Sequence, residues 1–291
     1  MAIKTTVITG ATSGIGKETA LALAKKDHAL YLLVRNVVKG EELKQEIITK
    51  TGNKNIHVIK CDLSDLQSVR EAAVELNNGK LFAVNVLINN AGGMFDKKEL
   101  SKDGFEMTFV TNHLGHFLLT NSILPLLEKG HARIINLSSE GHKMGKANFD
   151  DLQWEQRPYS AIKAYGTAKL FNIYFTKSLA EKYADKGISS FAVHPGVVRT
   201  SFGAESSGLS KFLLWLAKPF MISPEEGAQT SIFLATEPGM EAKSCQYFIK
   251  SKMAKSSLLS WSEANRNKLW DISKKLVGKI AIVGEDVSKK N

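Results

Sequence analysis

Thr9-Gly-Ala-Thr-Ser-Gly-Ile-Gly16 decides the fold. It follows an apolar run at residues 5–9 and opens an amphipathic stretch at residues 16–26. Glycines permit a tight turn and a close approach of backbone to another group. A helix starting there offers free N–H groups and the positive end of its dipole. Strand, glycine-rich turn and helix N-terminus in that order make a cradle for a pyrophosphate. The spacing is Gly-x-x-x-Gly-x-Gly rather than Gly-x-Gly-x-x-Gly, so the strand–turn–helix context counts for more than the letters. Gly10, Thr12, Ser13, Gly14, Ile15 and Gly16 are assigned to that cradle.

The same alternation continues outward. Short apolar runs lie at 5–9, 29–34, 56–61, 84–89, 132–137, 188–194 and 246–249. Helical patterns lie at 16–26, 39–50, 64–77, 103–128, 165–183 and 224–235. Most apolar runs are continuous, as strands buried on both faces require. The expected fold is α/β, a Rossmann-type doubly wound, about seven-stranded parallel sheet with helices on both faces. No repeat or Pro-rich linker divides the chain, so one domain spans residues 1–291. Residues 195–222 fall outside the alternation and carry the apolar stripe 212–222, with Lys211 and Lys218 on it or beside it. The segment is expected to act as a lid over the substrate, with a packed core or subunit interface and a membrane-surface helix as the alternatives. Residues 250–291 form a C-terminal extension with a helical pattern at 258–277.

Hydrophobic residues make up 43 % and charged residues 23 % of the 291, a balance that excludes a disordered, collagen-like or coiled-coil chain. The two cysteines, Cys61 and Cys245, sit in no paired motif, which excludes a disulfide framework and a cysteine-built zinc site. Lys and Arg exceed Asp and Glu by 39 to 29, giving +10. The surplus is spread and forms no basic stripe with interleaved aromatics, so nucleic acid is not an expected partner. No apolar run approaches the ~18 residues of a membrane span. Met1 leads into the first strand without a signal or transit pattern, and the expected location is the cytoplasm.

About 20 residues beyond such a cradle, an acidic residue would bond a ribose 2′-hydroxyl. Here the second strand ends Val34-Arg35-Asn36. Arg35 accepts no hydrogen bond, but it can hold a 2′-phosphate in bidentate, charge-assisted fashion. Lys17 could add a second positive charge. The expected cofactor is therefore NADP(H) in preference to NAD(H), with a merely solvated Arg35 as the alternative.

Five motifs follow one another in a single order: the glycine-rich turn, Asn89-Asn-Ala-Gly92, Ser138-Ser139, Tyr165-Gly-Thr-Ala-Lys169 and His194-Pro-Gly196. Together they resemble the short-chain dehydrogenase/reductase family over nearly the whole chain. Asn112-His-Leu-Gly-His-Phe117, the long gap after Ser139 and Leu269-Trp-Asp-Ile-Ser273 resemble its retinol-dehydrogenase-like branch. The resemblance implies a catalytic set of Asn112, Ser139, Tyr165 and Lys169. Tyr165 is the implied proton donor, and Ser139 the implied bond to the substrate oxygen. Asn112 would support a water relay to Lys169. A free tyrosine titrates near 10, and Lys169, one turn along the helix, is expected to lower that value. Tyr159-Ser-Ala-Ile-Lys163 repeats the Tyr-x-x-x-Lys spacing, but Pro158 marks a turn there. Ser138 is the rival to Ser139. Ala168 departs from the family pattern, where many relatives carry Ser.

On the cofactor side the resemblance assigns Asp62 and Leu63 to adenine, and Asn89, Ala91 and Gly92 to ribose. Pro195, Gly196, Val197 and Thr200 are assigned to the nicotinamide carboxamide, Tyr165 and Lys169 also count as cofactor-binding, and Asn36 accompanies Arg35. Asp62 or Ser64 could instead cap the next helix. Met94, Phe95, Met144, Phe202, Phe212 and Trp215 are candidate pocket walls, whose apolar character suits a small hydrophobic alcohol or carbonyl substrate. His113 and His116 lack a third ligand, and no metal site is expected. His142 and His194 are expected to be polar pocket or packing residues. Pairing through the helices at 103–128 and 165–183 is open, as is covering of one of those faces by the tail.

The expected activity is alcohol/carbonyl oxidoreduction. The alternatives are an NAD(H)-dependent enzyme of the same kind and a catalytically weak, cofactor-binding regulatory protein. A hydrolase using Ser139 and His142 ranks below these, because no Gly-x-Ser-x-Gly elbow is present.

Overall fold

The structure, a computed structural model, describes residues 3–79, 81–198 and 221–278. Among these residues eight strands form one sheet, in the order β3-β2-β1-β4-β5-β6-β7-β8. They are β1 Thr5–Thr9, β2 Ala29–Val34, β3 Ile56–Lys60, β4 Val86–Asn89, β5 Arg133–Leu137, β6 Ser189–His194, β7 Tyr247–Ile249 and β8 Lys252–Ala254. β1 to β7 are parallel, and β8 returns antiparallel to β7. The sheet therefore has eight strands rather than seven. β8 is a three-residue edge strand with no apolar run. It is reached through Lys250 and Ser251, both at positive φ without glycine, so it left no hairpin signal in the sequence.

Adjacent β residues face opposite sides, and both sides are covered. Val7, Leu33, Leu87 and Ile134 join one apolar cluster, whereas Ile8, Leu32, Ile88 and Ile135 join the other. That two-sided burial explains the continuous apolar runs. Shortening a fully buried residue such as Leu87 to alanine costs about 2–5 kcal/mol. The covering helices include α1 Gly14–Ala24, α2 Val37–Thr51 and α3 Leu66–Asn78. The chain order reverses between β1 and β4, where ligands of open α/β sheets bind beyond the strand ends.

The stretch 103–128 is not one helix. It runs through α4 Met107–Phe109, a π-helical turn Val110–Leu114, α5 Gly115–Ser122 and α6 Leu124–Lys129. Ile123 leaves the helical region at φ −107°, and Pro125 lies in the first turn of α6. After β5 comes a 3-10 turn, Glu140–Met144, and then α7, Ala161–Lys182. α8 Pro224–Thr236 starts at a Ser223/Glu226 capping box. The pattern at 258–277 divides into a 3-10 turn Leu258–Trp261 and α9 Glu263–Gly278.

α9 covers the face shared by α5 and α7. Leu269 is buried, and the Trp270 ring lies 5.0 Å from Phe117 and 6.1 Å from Phe175. Ser273 Oγ meets His113 Nε2 at 2.9 Å.

His113 and His116 are buried on that crossover. Burial holds them at about 3 and about 4, against 6.5 in a free chain. Below pH 6.5 the unfolded chain takes up protons that the fold refuses. Stability present above pH 6.5 is then lost on acidification, by about 1.4 kcal/mol per pH unit per histidine. The urea midpoint is expected to be clearly lower at pH 5.5 than at pH 7.5; an equal midpoint would contradict this.

Candidate functional site

β1 ends in the glycine-rich turn, with Gly10 at φ +66° and Gly14 at φ +53°. Ser13 is the N-cap of α1, but its side chain caps nothing. The first-turn N–H groups are thus left for an external acceptor. A Cβ on Gly16 would lie 2.3 Å from the Gly10 carbonyl oxygen, and one on Gly10 2.9 Å from Ala91 Cα. The turn is packed directly on the end of β4, and these residues fit a pyrophosphate.

Three side chains hold that packing. Thr9 Oγ1 accepts from Asn90 N at 3.0 Å and Ala91 N at 3.1 Å. Asn90 Nδ2 donates to the carbonyls of Thr9 (2.8 Å) and Gly10 (3.1 Å). His116 Nε2 meets Thr9 Oγ1 at 2.9 Å, and its Nδ1 meets the Asn112 carbonyl at 3.1 Å. A carbonyl only accepts, so Nδ1 carries the proton and Nε2 accepts from Thr9. Sequence reasoning missed Asn90 and Thr9, and weighed His116 only as a metal ligand. The side chain of Asn89 lies in the core, with Nδ2 donating to Asn136 Oδ1 at 2.8 Å.

At the outer end, Arg35 is exposed after β2. Asn36 is engaged, since its side chain accepts from Lys39 N at 3.1 Å and caps α2. Lys17 is also engaged, with Nζ 2.7 Å from Glu46 Oε2. Glu46 also pairs with Lys50 at 2.7 Å, so the two lysines share one carboxylate and a net positive charge remains beside the turn. Asp62 Oδ1 accepts from Ser64 N (3.0 Å) and Ser64 Oγ (2.7 Å). The cap of α3 is Asp65, not Asp62 or Ser64. Leu63 is buried, and its carbonyl lies where a Cβ on Gly115 would fall. Pro195, Gly196 and Val197 leave β6 toward Ile222, whose N donates to the Val197 carbonyl at 2.9 Å. Thr200, Phe202, Phe212 and Trp215 lie outside the described residues.

The catalytic candidates meet where β4 and β5 end. Ser139 follows β5, and its Oγ accepts from Gly141 N at 3.0 Å. It is also hydrogen-bonded to the Tyr165 hydroxyl, which α7 presents. Lys169, one turn further along α7, places Nζ 5.4 Å from the Tyr165 ring centroid and donates to the Leu137 carbonyl at 3.1 Å. Ser138 points the other way: its Oγ donates to the Lys169 carbonyl at 2.7 Å and fixes α7 to β5. The two serines therefore have different tasks, and the rival is a structural tie.

Asn112 sits in the π-helical turn. Its Nδ2 donates to the carbonyls of Gly93 and Thr108, both at 2.8 Å. Its Oδ1 is buried without a hydrogen-bond partner, and a Cβ on Gly92 would lie 2.3 Å from it and 3.4 Å from Lys169 Nζ. Gly92 thus lets Asn112 and Lys169 approach one small space. An orphaned acceptor beside a buried ammonium suits a proton relay.

Burial dominates the electrostatics. It pushes the Tyr165 phenol up to about 12, against the opposing bond from Ser139. It holds the Lys169 ammonium down to about 7. Burial outweighs the bond from Ser139, and the expected lowering by Lys169 is not among the causes in the chain alone, so Tyr165 is protonated at pH 7 and ready to donate. Tyr159 is not placed for this work. Its hydroxyl is bound to Phe95 O, Glu106 Oε1 and Thr108 Oγ1, all at 3.0 Å, and burial beside Glu106 raises its phenol strongly.

The model of the family described as short chain dehydrogenase matches residues 4–208. The chain is 42 % identical over 276 residues to retinol dehydrogenase 11 of Mus musculus, covering 94 % of this chain and 86 % of that one. It is 43 % identical over 277 residues to retinol dehydrogenase 12 of Homo sapiens, with the same coverage. Among solved structures, one described as an uncharacterized protein from Mycobacterium paratuberculosis is 30 % identical. It superposes with a TM-score of 0.76 over 95 % of this chain and 94 % of that one.

Proposed function

The chain belongs to the short-chain dehydrogenase family, in its retinol-dehydrogenase-like branch, and on that premise we propose that it interconverts a hydrophobic alcohol and its carbonyl with NADP(H). The family acts on CH–OH groups with NAD(P)(H); the choice of NADP(H) and of an apolar substrate is the proposal. The observation that carries it is the joined set Ser139–Tyr165–Lys169, with the orphaned Asn112 Oδ1 beside it. Bound nicotinamide would supply or take up the hydride. Ser139 Oγ donates a hydrogen bond that holds the substrate oxygen. Tyr165 gives its phenolic proton to that oxygen as negative charge develops on it. Lys169, held near 7, returns a proton to Tyr165 and is itself refilled past Asn112. Ser13 to Gly16 hold the pyrophosphate by their N–H groups, and Arg35 holds the 2′-phosphate. Met144 and Val197, exposed apolar side chains on the segments after β5 and β6, support an apolar substrate.

Fluorescence titration of the protein with NADPH and with NADH tests the cofactor assignment. NADPH is expected to bind at least about tenfold more tightly, and Arg35→Ala is expected to remove the difference, as loss of a charge-assisted bond implies. Tighter binding of NADH by the unaltered protein would overturn the role of Arg35 and leave the oxidoreductase chemistry standing.

A further inference from the structure

His142 is buried in the 3-10 turn that follows Ser139, and nothing in the hydride-transfer scheme above uses it. Its Nδ1 lies 2.6 Å from the Ser139 carbonyl oxygen, and its Nε2 lies 3.0 Å from the backbone N of Ser257. The carbonyl only accepts and the amide only donates. The ring is therefore fixed as the neutral Nδ1–H tautomer, donating to Ser139 and accepting from Ser257. Burial favours that neutral form. The ring edge also packs on Tyr247, 5.2 Å between centroids, and the Tyr247 hydroxyl donates to Glu140 Oε1 at 3.0 Å. On the other side Glu140 N donates to His194 Nδ1 at 3.2 Å.

We propose that His142 is a positioning residue, which ties the turn carrying Ser139 to the C-terminal segment at Ser257 and so sets where the Ser139 hydroxyl stands. This rests on the assignment of Ser139 to the substrate oxygen. The physical reason is leverage. The Ser139 hydroxyl must meet both the substrate oxygen and Tyr165, and a misplacement of about 1 Å in such an arrangement costs up to about a hundredfold in rate. The Ser139 carbonyl is held by two donors of one residue, His142 N at 3.0 Å and His142 Nδ1. Only the second of these depends on a group that is in turn held by Ser257. The C-terminal extension thereby becomes part of the catalytic scaffold rather than an appendage.

The test uses the full chain, NADPH and octanal as the probe aldehyde, in single turnovers at excess protein. His142→Asn keeps a donor near the Nδ1 position and removes the acceptor used by Ser257; His142→Gln can supply that acceptor. His142→Asn is expected to slow turnover about tenfold, leave the NADPH dissociation constant unchanged and speed amide exchange at Ser257. His142→Gln is expected to recover part of both losses. In a Ser139→Ala background, His142→Asn is expected to cause no further slowing. Equal slowing with and without Ser139, unchanged turnover in His142→Asn, or unaltered exchange at Ser257 would each overturn the tie. Wild-type turnover in Ser139→Ala alone would instead overturn the assignment of Ser139, and the positioning role with it.

Discussion

Replacing Tyr165 by phenylalanine is expected to lower turnover by about 10²–10⁴-fold, the range set by loss of a positioned general acid. The ring stays, so the packing of α7 is kept, and the NADPH dissociation constant should change by less than about threefold. The hydroxyl that disappears is the one hydrogen-bonded to Ser139 and the only phenol beside Lys169 among the described residues. Tyr159→Phe is the matched control. It removes the three contacts to Phe95, Glu106 and Thr108, which costs stability, about 1.5–3 kcal/mol for the bond to buried Glu106 alone, and leaves turnover near wild type. If Tyr165→Phe turned over normally and Tyr159→Phe did not, the proton donor would be misassigned.

Gly16→Ala is expected to be the most damaging change on the cofactor side. The added Cβ would lie 2.3 Å from the Gly10 carbonyl oxygen and 2.5 Å from Asn90 Nδ2. The first of these is backbone and cannot swing away. The second is already engaged in holding Thr9 and Gly10. Relief therefore requires the glycine-rich turn to part from β4, at a cost of about 1–3 kcal/mol or more in stability. The same movement spreads the N–H groups that would face the pyrophosphate, so NADPH affinity should fall at least about tenfold. Gly93→Ala gives the contrast, since its Cβ would come no nearer than 3.8 Å, to the edge of Phe95. A wild-type NADPH dissociation constant in Gly16→Ala would mean that the turn does not hold the cofactor.

The seven parallel strands were legible, most of them because burial on both faces leaves continuous apolar runs. β8 was not, because an exposed Lys-Met-Ala edge strand entered by Lys250-Ser251 has neither an apolar pattern nor a glycine. The π-helical turn was hidden for a different reason. Val110-Thr-Asn-His-Leu114 has ordinary helical chemistry, and the turn is accompanied by long-range and i−4 bonds of Asn112 to Gly93 and Thr108 that no local pattern announces. Ser139, Tyr165, Lys169 and Asn112 could be named from motif order, and the structure brings them together. The residues that hold them could not. Thr9 and His116 are 107 positions apart, and Ser257 and His142 are 115 apart; such pairings exist only in the folded sheet. Lys17 and Asn36, assigned with Arg35 to the cofactor, are also bonded to Glu46 and to the backbone N of Lys39, contacts that the motifs do not show.

The central claim is hydride transfer between NADPH and a carbonyl at this site. Its most direct test is loss of NADPH absorbance on mixing the protein with a panel of apolar aldehydes and ketones, with the alcohol product quantified in parallel. Consumption of NADPH matched one for one by alcohol, and abolished in Tyr165→Phe, is the predicted result. A protein that binds NADPH yet consumes none with any member of the panel would contradict the claim and leave a cofactor-binding regulatory role.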